Sequence, residues 1–266
     1  MAVHALSAVR IASIDDPRLA DYRDIADDRL RGGGAFAVES REVVRRLLRA
    51  RRFRLRSLLL TEPALETLAT LLEPPTAVYV AGHDVIRHVV GLNFHRGCMG
   101  IAERGTPLAL DDALGAAART VVVCERLSNP DNVGGVFRNA LAFGADAVVL
   151  SPGSADPLYR KVVRVSIGAS VSVPFAAPPA WPDALDRLRA AGWTVVALAT
   201  RDGVPIGEVR RPARLALLVG SEGDGLTDGA LARADLRATI PMAAGVDSLN
   251  VAVACGIALH RLAAPA

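Results

Sequence analysis

The sequence predicts an α/β protein of two domains, and three observations carry that reading. Strand-like and helix-like patterns alternate along most of the chain, the alternation restarts with longer units after a polar stretch at 104–107, and in the second half helices intervene among the strands. Strands connected through helices run mostly parallel, with right-handed crossovers. The 266 residues are 51% hydrophobic, with 31 basic against 28 acidic side chains, which excludes a disordered chain or a coiled coil and leaves enough apolar surface for two modest cores.

Residues 1 to about 30 read as a lead-in of mixed acids and arginines, with a helical spacing through Leu19, Tyr22 and Ile25. A compact α/β unit follows. Strands are expected at 35–38, 55–60, 77–80 and 97–102, and helices from Pro63 to Leu72 and over 84–90. Ser40 can cap a further helix whose apolar face is Val43, Val44, Leu47 and Leu48. The first domain thus spans 1–105, a join 106–118, and the second domain 119–266. In the second domain strands are expected at 120–124, 147–150, 171–174, 194–199, 215–219 and 237–240, with helices over 133–143, 181–191 and 248–262.

Charge and cysteine usage narrow the function. Net charge is only +3, but eight arginines and one acid, Glu42, fall between Arg41 and Arg56, a local basic surface suited to a polyanion. A solvated helix face is the competing reading. Lys161 is the one lysine, so the arginine bias of the whole chain is also compositional. Cys98, Cys124 and Cys255 are too far apart for a CxxC pair and odd in number, which points to core thiols, no metal and no disulfide framework. The apolar stretches fall short of the ~20 residues that span a bilayer, and the start lacks a basic leader with an apolar core; a cytoplasmic protein is expected.

Three segments place polar or glycine residues just beyond a strand, where open α/β sheets bind ligands. The first runs from Ser128 into a helix that begins with Gly134 and Gly135 and carries Arg138 and Asn139, a start suited to an anion, although its Asn and Pro residues also serve as plain turn formers. The second ends an apolar strand with Gly220, Ser221, Glu222, Gly223, Asp224 and Gly225. This GxxGxG order is neither a dinucleotide fingerprint nor a P-loop, which argues against a nicotinamide enzyme. The third runs from Ile240 through Asp247 into a helix opened by Ser248 and Asn250. That helix is apolar on nearly every side from Val251 to Leu259, so it must be buried within its domain or against a second copy.

Together these residues resemble the SpoU (TrmH-type) RNA 2′-O-ribose methyltransferases of the SPOUT superfamily. Asn132, Gly134 and Arg138 keep the family's Asn, Gly and Arg spacing; residues 220–225 match its G-[SA]-E-G-x-G loop; Ile240, Pro241, Met242, then Ser248, Leu249, Asn250 and Gly256 match its last motif. Lys161, Arg164, Ser166, Gly168 and Ala169 match a further stretch between them, while Asp131 and Gly135 vary positions without assigned chemistry. Residues 30–104 resemble, less specifically, an α/β/α RNA-binding domain related to ribosomal proteins.

The resemblance implies a C-terminal domain with a mostly parallel sheet and a deep trefoil knot, preceded by the smaller RNA-binding domain, and a homodimer formed through the catalytic domain and its last helix. It implies S-adenosylmethionine as methyl donor, held by Leu198, Ala199, Thr200, Gly220, Gly223, Ile240, Met242, Ser248 and Leu249. It implies Arg138 as the residue at the ribose oxygen, either as a transiently neutral base or as an orienting cation, with Asn132 holding ribose or Arg138, Glu222 orienting Arg138 or Asn132, and Ser248 and Asn250 shaping the donor and phosphate region. Arg41, Arg45, Arg46, Arg49 and Arg52 are the expected RNA contacts. Structured 23S ribosomal RNA is favoured over transfer RNA; a non-catalytic RNA-binding or ribosome-assembly protein on the same fold, or methylation of a base nitrogen or a small molecule, are the alternatives.

Overall fold

The computed structural model describes residues 8–23, 25–91, 97–221 and 223–262. In chain order the elements are β1 (Ala8–Ile11), α1 (Asp27–Gly32), β2 (Ala35–Glu39), α2 (Arg41–Ala50), β3 (Leu55–Leu60), α3 (Glu62–Leu68), β4 (Ala77–Ala81), α4 (His83–Val90) and β5 (Cys98–Glu103). There follow α5 (Leu110–Leu114), β6 (Thr120–Cys124), α6 (Pro130–Ala142), β7 (Ala147–Leu150), α7 (Arg160–Val165), α8 (Ala169–Ser172), β8 (Phe175–Ala176) and α9 (Asp183–Ala190). The chain continues through β9 (Thr194–Leu198), β10 (Val204–Pro205), β11 (Leu215–Val219), α10 (Asp228–Leu231), β12 (Leu236–Thr239) and α11 (Val251–Leu262). It divides into two compact units.

The first unit comprises the described residues up to Thr106 together with Leu158–Ser172. Its sheet has the order β1-β4-β3-β5-β2, parallel across β1-β4-β3 and antiparallel around β5. The expected lead-in is part of this core. β1 pairs with β4, and the spacing of Leu19 and Tyr22 is the i, i+3 repeat of a 3₁₀ turn over Pro17–Tyr22 that buries both side chains completely. The Tyr22 hydroxyl shares a 2.7 Å hydrogen bond with Ser57, which satisfies its polar end inside the core. Ser40 caps α2, accepting from the Val43 N–H, and Val43, Val44 and Leu47 bury that helix's inner face.

Two sequence expectations are corrected in this unit. Residues 158–172, expected in the second domain, belong here: the Arg160 N–H donates to Asp27 at 3.0 Å, and its guanidinium reaches the buried Glu39 at 3.2 Å. Residues 171–174, expected as a strand, instead follow the helical turn of α8, and the strand begins at Phe175. Serine hydroxyls decide this locally. The Ser166 hydroxyl accepts from the Ser170 N–H, and the Ser172 hydroxyl donates to the Gly168 carbonyl four residues back, bonds that an extended backbone cannot make.

In the second unit every strand pairing is parallel, in the order β10-β12-β9-β11-β6-β7-β8. Successive side chains on a strand face opposite sides. Val121 and Val123 of β6 join a core with Leu185, Leu188 and Trp193 from the α9 region. Residues 106–118, expected as a join, enter that core: α5 contributes Leu110, Ala113 and Leu114, and Ala118 follows. α6 and α11 pack against each other, and α11 also meets β11. The short edge strand β10 carries no strand pattern in the sequence, being only two residues long beside Gly203. Among the described residues no helix is long and apolar enough to cross a membrane, and no cluster of metal-binding side chains occurs.

All three cysteines are buried as free thiols. Burial pushes Cys98 and Cys255 from 9.0 to about 12 and raises Cys124 as well. Native protein at pH 8 is therefore expected to show no reaction with a thiol reagent, and three thiols after denaturation. Because the folded thiols hold their protons more tightly than the unfolded ones, stability should be unaffected below about pH 8 and fall as pH rises from about 9 towards 12, measurable by urea unfolding across that range.

Candidate active site

The site is built from the carboxyl ends of the parallel strands and the two helices that start beside them. Pro130 occupies the first turn of α6, where its missing N–H costs nothing, and Asn129 caps the helix by accepting from the Asp131 N–H at 2.9 Å. Asn132, Gly135 and Asn139 lie at i, i+3 and i+7, one stripe of the helix. That stripe faces α11. A Cβ on Gly135 would lie 2.6 Å from the Ala252 Cβ, so only glycine permits this approach. The Asn139 amide donates to the Ala252 carbonyl at 2.6 Å, and the Asn250 amide donates to the Asn132 side-chain oxygen at 2.8 Å.

Asn250 has a second task. Its side-chain oxygen accepts from the N–H groups of Ala252 and Val253 at 3.0 and 3.2 Å, the geometry of a helix N-cap. The last helix therefore starts at Val251, and Ser248, expected to open it, lies in the preceding irregular segment. α11 is also less buried than its composition implies. Val253 is 51% and Ile257 40% exposed, one turn apart, with Val246 and Leu249 exposed ahead of them.

A cavity of about 770 Å³ opens beyond the ends of β9, β11 and β12. All nine residues expected to hold the donor line it: Leu198, Ala199, Thr200, Gly220, Gly223, Ile240, Met242, Ser248 and Leu249; Asn250 does so too. At Gly220 the chain passes close to itself, since a Cβ there would lie 2.4 Å from the Gly225 carbonyl carbon and 2.6 Å from the Leu226 nitrogen. The walls fit S-adenosylmethionine by chemistry. Apolar side chains such as Leu226, Ile240 and Leu249 suit an adenine face, bare backbone at the glycines suits its polar edges, and Arg201, Asp202, Asp228 and Arg237 offer both charges to an amino-acid zwitterion.

Sequence reading missed one polar centre. Glu125, directly after β6, is completely buried, and its carboxylate accepts from the Thr227 N–H at 2.8 Å, the Thr227 hydroxyl at 2.7 Å and the Trp181 indole N–H at 2.7 Å. The available signal was an acid closing an unbroken apolar strand at the sheet edge where ligands bind.

Other expected residues are distributed as follows. Asn132 is buried and tied to Asn250, whereas Arg138 is exposed on α6, makes no hydrogen bond or ion pair with the described residues, and is not in the cavity wall. Six residues of helix rotate it about 120° from Asn132, so the two cannot share a face. Glu222 lies outside the described residues. In the first unit Arg45 and Arg46 both pair with Glu42, at 2.9 and 3.1 Å, and Arg52 lies over the Phe53 ring with burial lowering its pKa to about 10. Arg41 and Arg49 are exposed with no acidic partner among the described residues.

Comparison with known proteins gives a consistent picture. The SpoU rRNA Methylase family matches residues 119–260. An uncharacterized tRNA/rRNA methyltransferase of Mycobacterium bovis is 39% identical over 258 residues, covering 93% of this chain and 88% of that protein. A 23S rRNA (guanosine(2553)-2′-O)-methyltransferase of Bacillus subtilis is 36% identical over 147 residues, covering 55% of this chain and 59% of its own. The AdoMet-bound crystal structure of an rRNA methyltransferase from Sinorhizobium meliloti superposes with a TM-score of 0.84 at 26% identity, covering 96% of this chain and 97% of that one.

The contact between α6 and α11 can be tested directly. Gly135→Ala should destabilise the protein by about 1–3 kcal/mol through overlap with Ala252, despite the better helix propensity of alanine. Adding Ala252→Gly should recover most of that loss. A double-mutant cycle by urea denaturation measures the coupling, and additive losses would show that the two side chains do not compete for one space.

Proposed function

The chain belongs to the SpoU rRNA methylase family, and from that premise we propose that it methylates a ribose 2′-hydroxyl of structured RNA, with 23S ribosomal RNA favoured over transfer RNA. The observation that carries this reading is the convergence on one cavity at the sheet edge of the chain after β9, the glycine loop after β11 and the segment from Ile240 to Asn250. Methylation of RNA with S-adenosylmethionine as donor is common ground with the family. The ribose oxygen and the ribosomal substrate are supported by the named 2′-O-methyltransferase relative and by the rRNA methyltransferase that the whole chain resembles in structure.

When bound, S-adenosylmethionine supplies an electrophilic methyl group carried on a sulfonium. The nine cavity residues would hold it largely through main-chain groups, so that loop shape rather than side-chain identity sets affinity at Gly220 and Gly223. Asn132, buried and fixed by Asn250, would hold in place the helix that carries Arg138. Arg138, exposed and with no hydrogen bond or ion pair among the described residues, would meet the incoming sugar or its phosphate. A guanidinium is a poor base, so orienting the nucleophile and stabilising developing negative charge is its simpler role, in line with the geometric demands of an in-line transfer. Glu222 and Ser248 keep their expected supporting roles.

The trefoil knot proposed for the second unit is carried over from the family. The apolar stripe of Val253 and Ile257 supports a homodimer through α11, since exposed aliphatic side chains in register on a helix favour association. In the first unit RNA contact is assigned to the basic face of α2, chiefly Arg41 and Arg49. Arg45, Arg46 and Arg52 would join only by exchanging or sharing present contacts.

Arg138→Ala should lower methyl transfer to RNA by about 10²–10⁴-fold while leaving S-adenosylmethionine affinity within about twofold. Mass spectrometry of the RNA and calorimetry with the donor check the two halves, and retained turnover would remove Arg138 from the mechanism. The paired variant Arg41→Ala and Arg49→Ala should weaken RNA binding and flatten its salt dependence by about one unit of slope for each phosphate no longer neutralised. An unchanged slope would take α2 out of the RNA interface.

A further inference from the structure

Glu125 takes no part in the chemistry above, yet its position is unusual. The glycine loop of the donor cavity leaves the sheet at Val219 and rejoins regular structure at Thr227, the N-cap of α10. Glu125 holds both stems. Its backbone N–H donates to the Val219 carbonyl at 2.8 Å, and its carboxylate accepts from the backbone N–H and the hydroxyl of Thr227. Burying a carboxylate is costly unless hydrogen bonds replace its water, and here three donors converge on it, two of them from a single loop-terminal residue.

The consequence falls on the cavity wall. Thr227 lies between Leu226 and Asp228, both of which line the cavity, and two residues past Gly225, whose backbone is pressed against Gly220. Displacement of Thr227 is therefore transmitted by main-chain contact to the loop that faces the donor. We propose that Glu125 is a positioning residue that clamps the two stems of the 220–226 loop and so sets the shape in which the cavity accepts S-adenosylmethionine. This rests on the donor-pocket reading of that cavity.

Trp181 provides the control. Its indole donates to the same carboxylate oxygen as the Thr227 hydroxyl, but Trp181 packs on the core and is not in the cavity wall. Trp181→Phe and Thr227→Ala each remove one bond to that oxygen, and only Thr227 continues into the loop. Calorimetric titration of S-adenosylmethionine into the full-length protein, well below the unfolding temperature of each variant, should show Kd raised about tenfold or more by Thr227→Ala and by Glu125→Gln, which presents an amide donor to one of Thr227's donors. Thr227→Ser should restore affinity, and Trp181→Phe should leave it within about twofold although it unfolds at a lower temperature. In turnover the KM for the donor should rise, with the KM for RNA unchanged. Should Glu125→Gln fail to fold, the Thr227 pair against Trp181→Phe decides alone. Affinity losses that track stability equally in Trp181→Phe and Thr227→Ala, or none in either, would overturn the clamp while leaving the pocket in place. Failure of the wild-type protein to bind the donor would overturn the pocket reading, and the clamp with it.

Discussion

The close approach of α6 and α11 is the constraint on which the rest of the candidate site depends. With no side chain at Gly135, Ala252 seats directly against the helix, and the Asn132 and Asn250 amides meet at 2.8 Å. A methyl group between the helices would separate them by more than a hydrogen bond tolerates. The same contact fixes where α11 begins, because the Asn250 oxygen that caps the helix belongs to the amide that reaches Asn132. From that fixed start the chain runs back through Leu249 and Ser248, which form one wall of the cavity. Packing between two helices thus determines the position of an irregular segment that has no regular structure of its own.

Much of the second unit was legible in the sequence because its signals are local. Five-residue apolar runs such as Leu215–Val219 are too short for a buried helix and suit a sheet covered on both faces, and the glycines after them mark the places where backbone comes close to something. The nine residues expected to hold the donor came from a resemblance, and their common cavity is explained by topology: the ends of β9, β11 and β12 are neighbours in the sheet although distant in the chain. What was not legible is non-local. Nothing around Arg160 announces that its partners are Asp27 and Glu39, more than a hundred residues away, so the segment 158–172 could not be assigned to the first unit. Glu125 gave only a weak signal for the same reason, since two of its donors come from Thr227 and the third from Trp181.

The arginine run shows how a charge count differs from a charged surface. Eight arginines and a single acid between residues 41 and 56 suggest a strong field, but Glu42 engages two of them, and acids from elsewhere in the chain engage others: Glu73 pairs with Arg51, and Glu103 with Arg54 and Arg56. Exposed pairs of this kind contribute little to stability, yet each one lowers the local positive charge. The field that remains centres on Arg41 and Arg49, which lie eight residues apart, two and a quarter turns, and so share a face of α2.

The separation of Asn132 and Arg138 has a related logic. Six residues place two side chains of a helix about 120° apart and roughly 9 Å along its axis. One of them can then be buried and immobilised by the fold while the other stays in solvent, so a single rigid helix presents a fixed amide inside and a cation outside at a constant distance. A spacing of seven would have put both on the face that packs against α11, where Asn139 in fact lies, bonded to Ala252. An arginine at 139 would have its guanidinium consumed by helix packing. On the proposed reading, the exposure of Arg138 is therefore what a residue meeting an incoming RNA strand requires, and the burial of Asn132 is what keeps the helix bearing Arg138 in place.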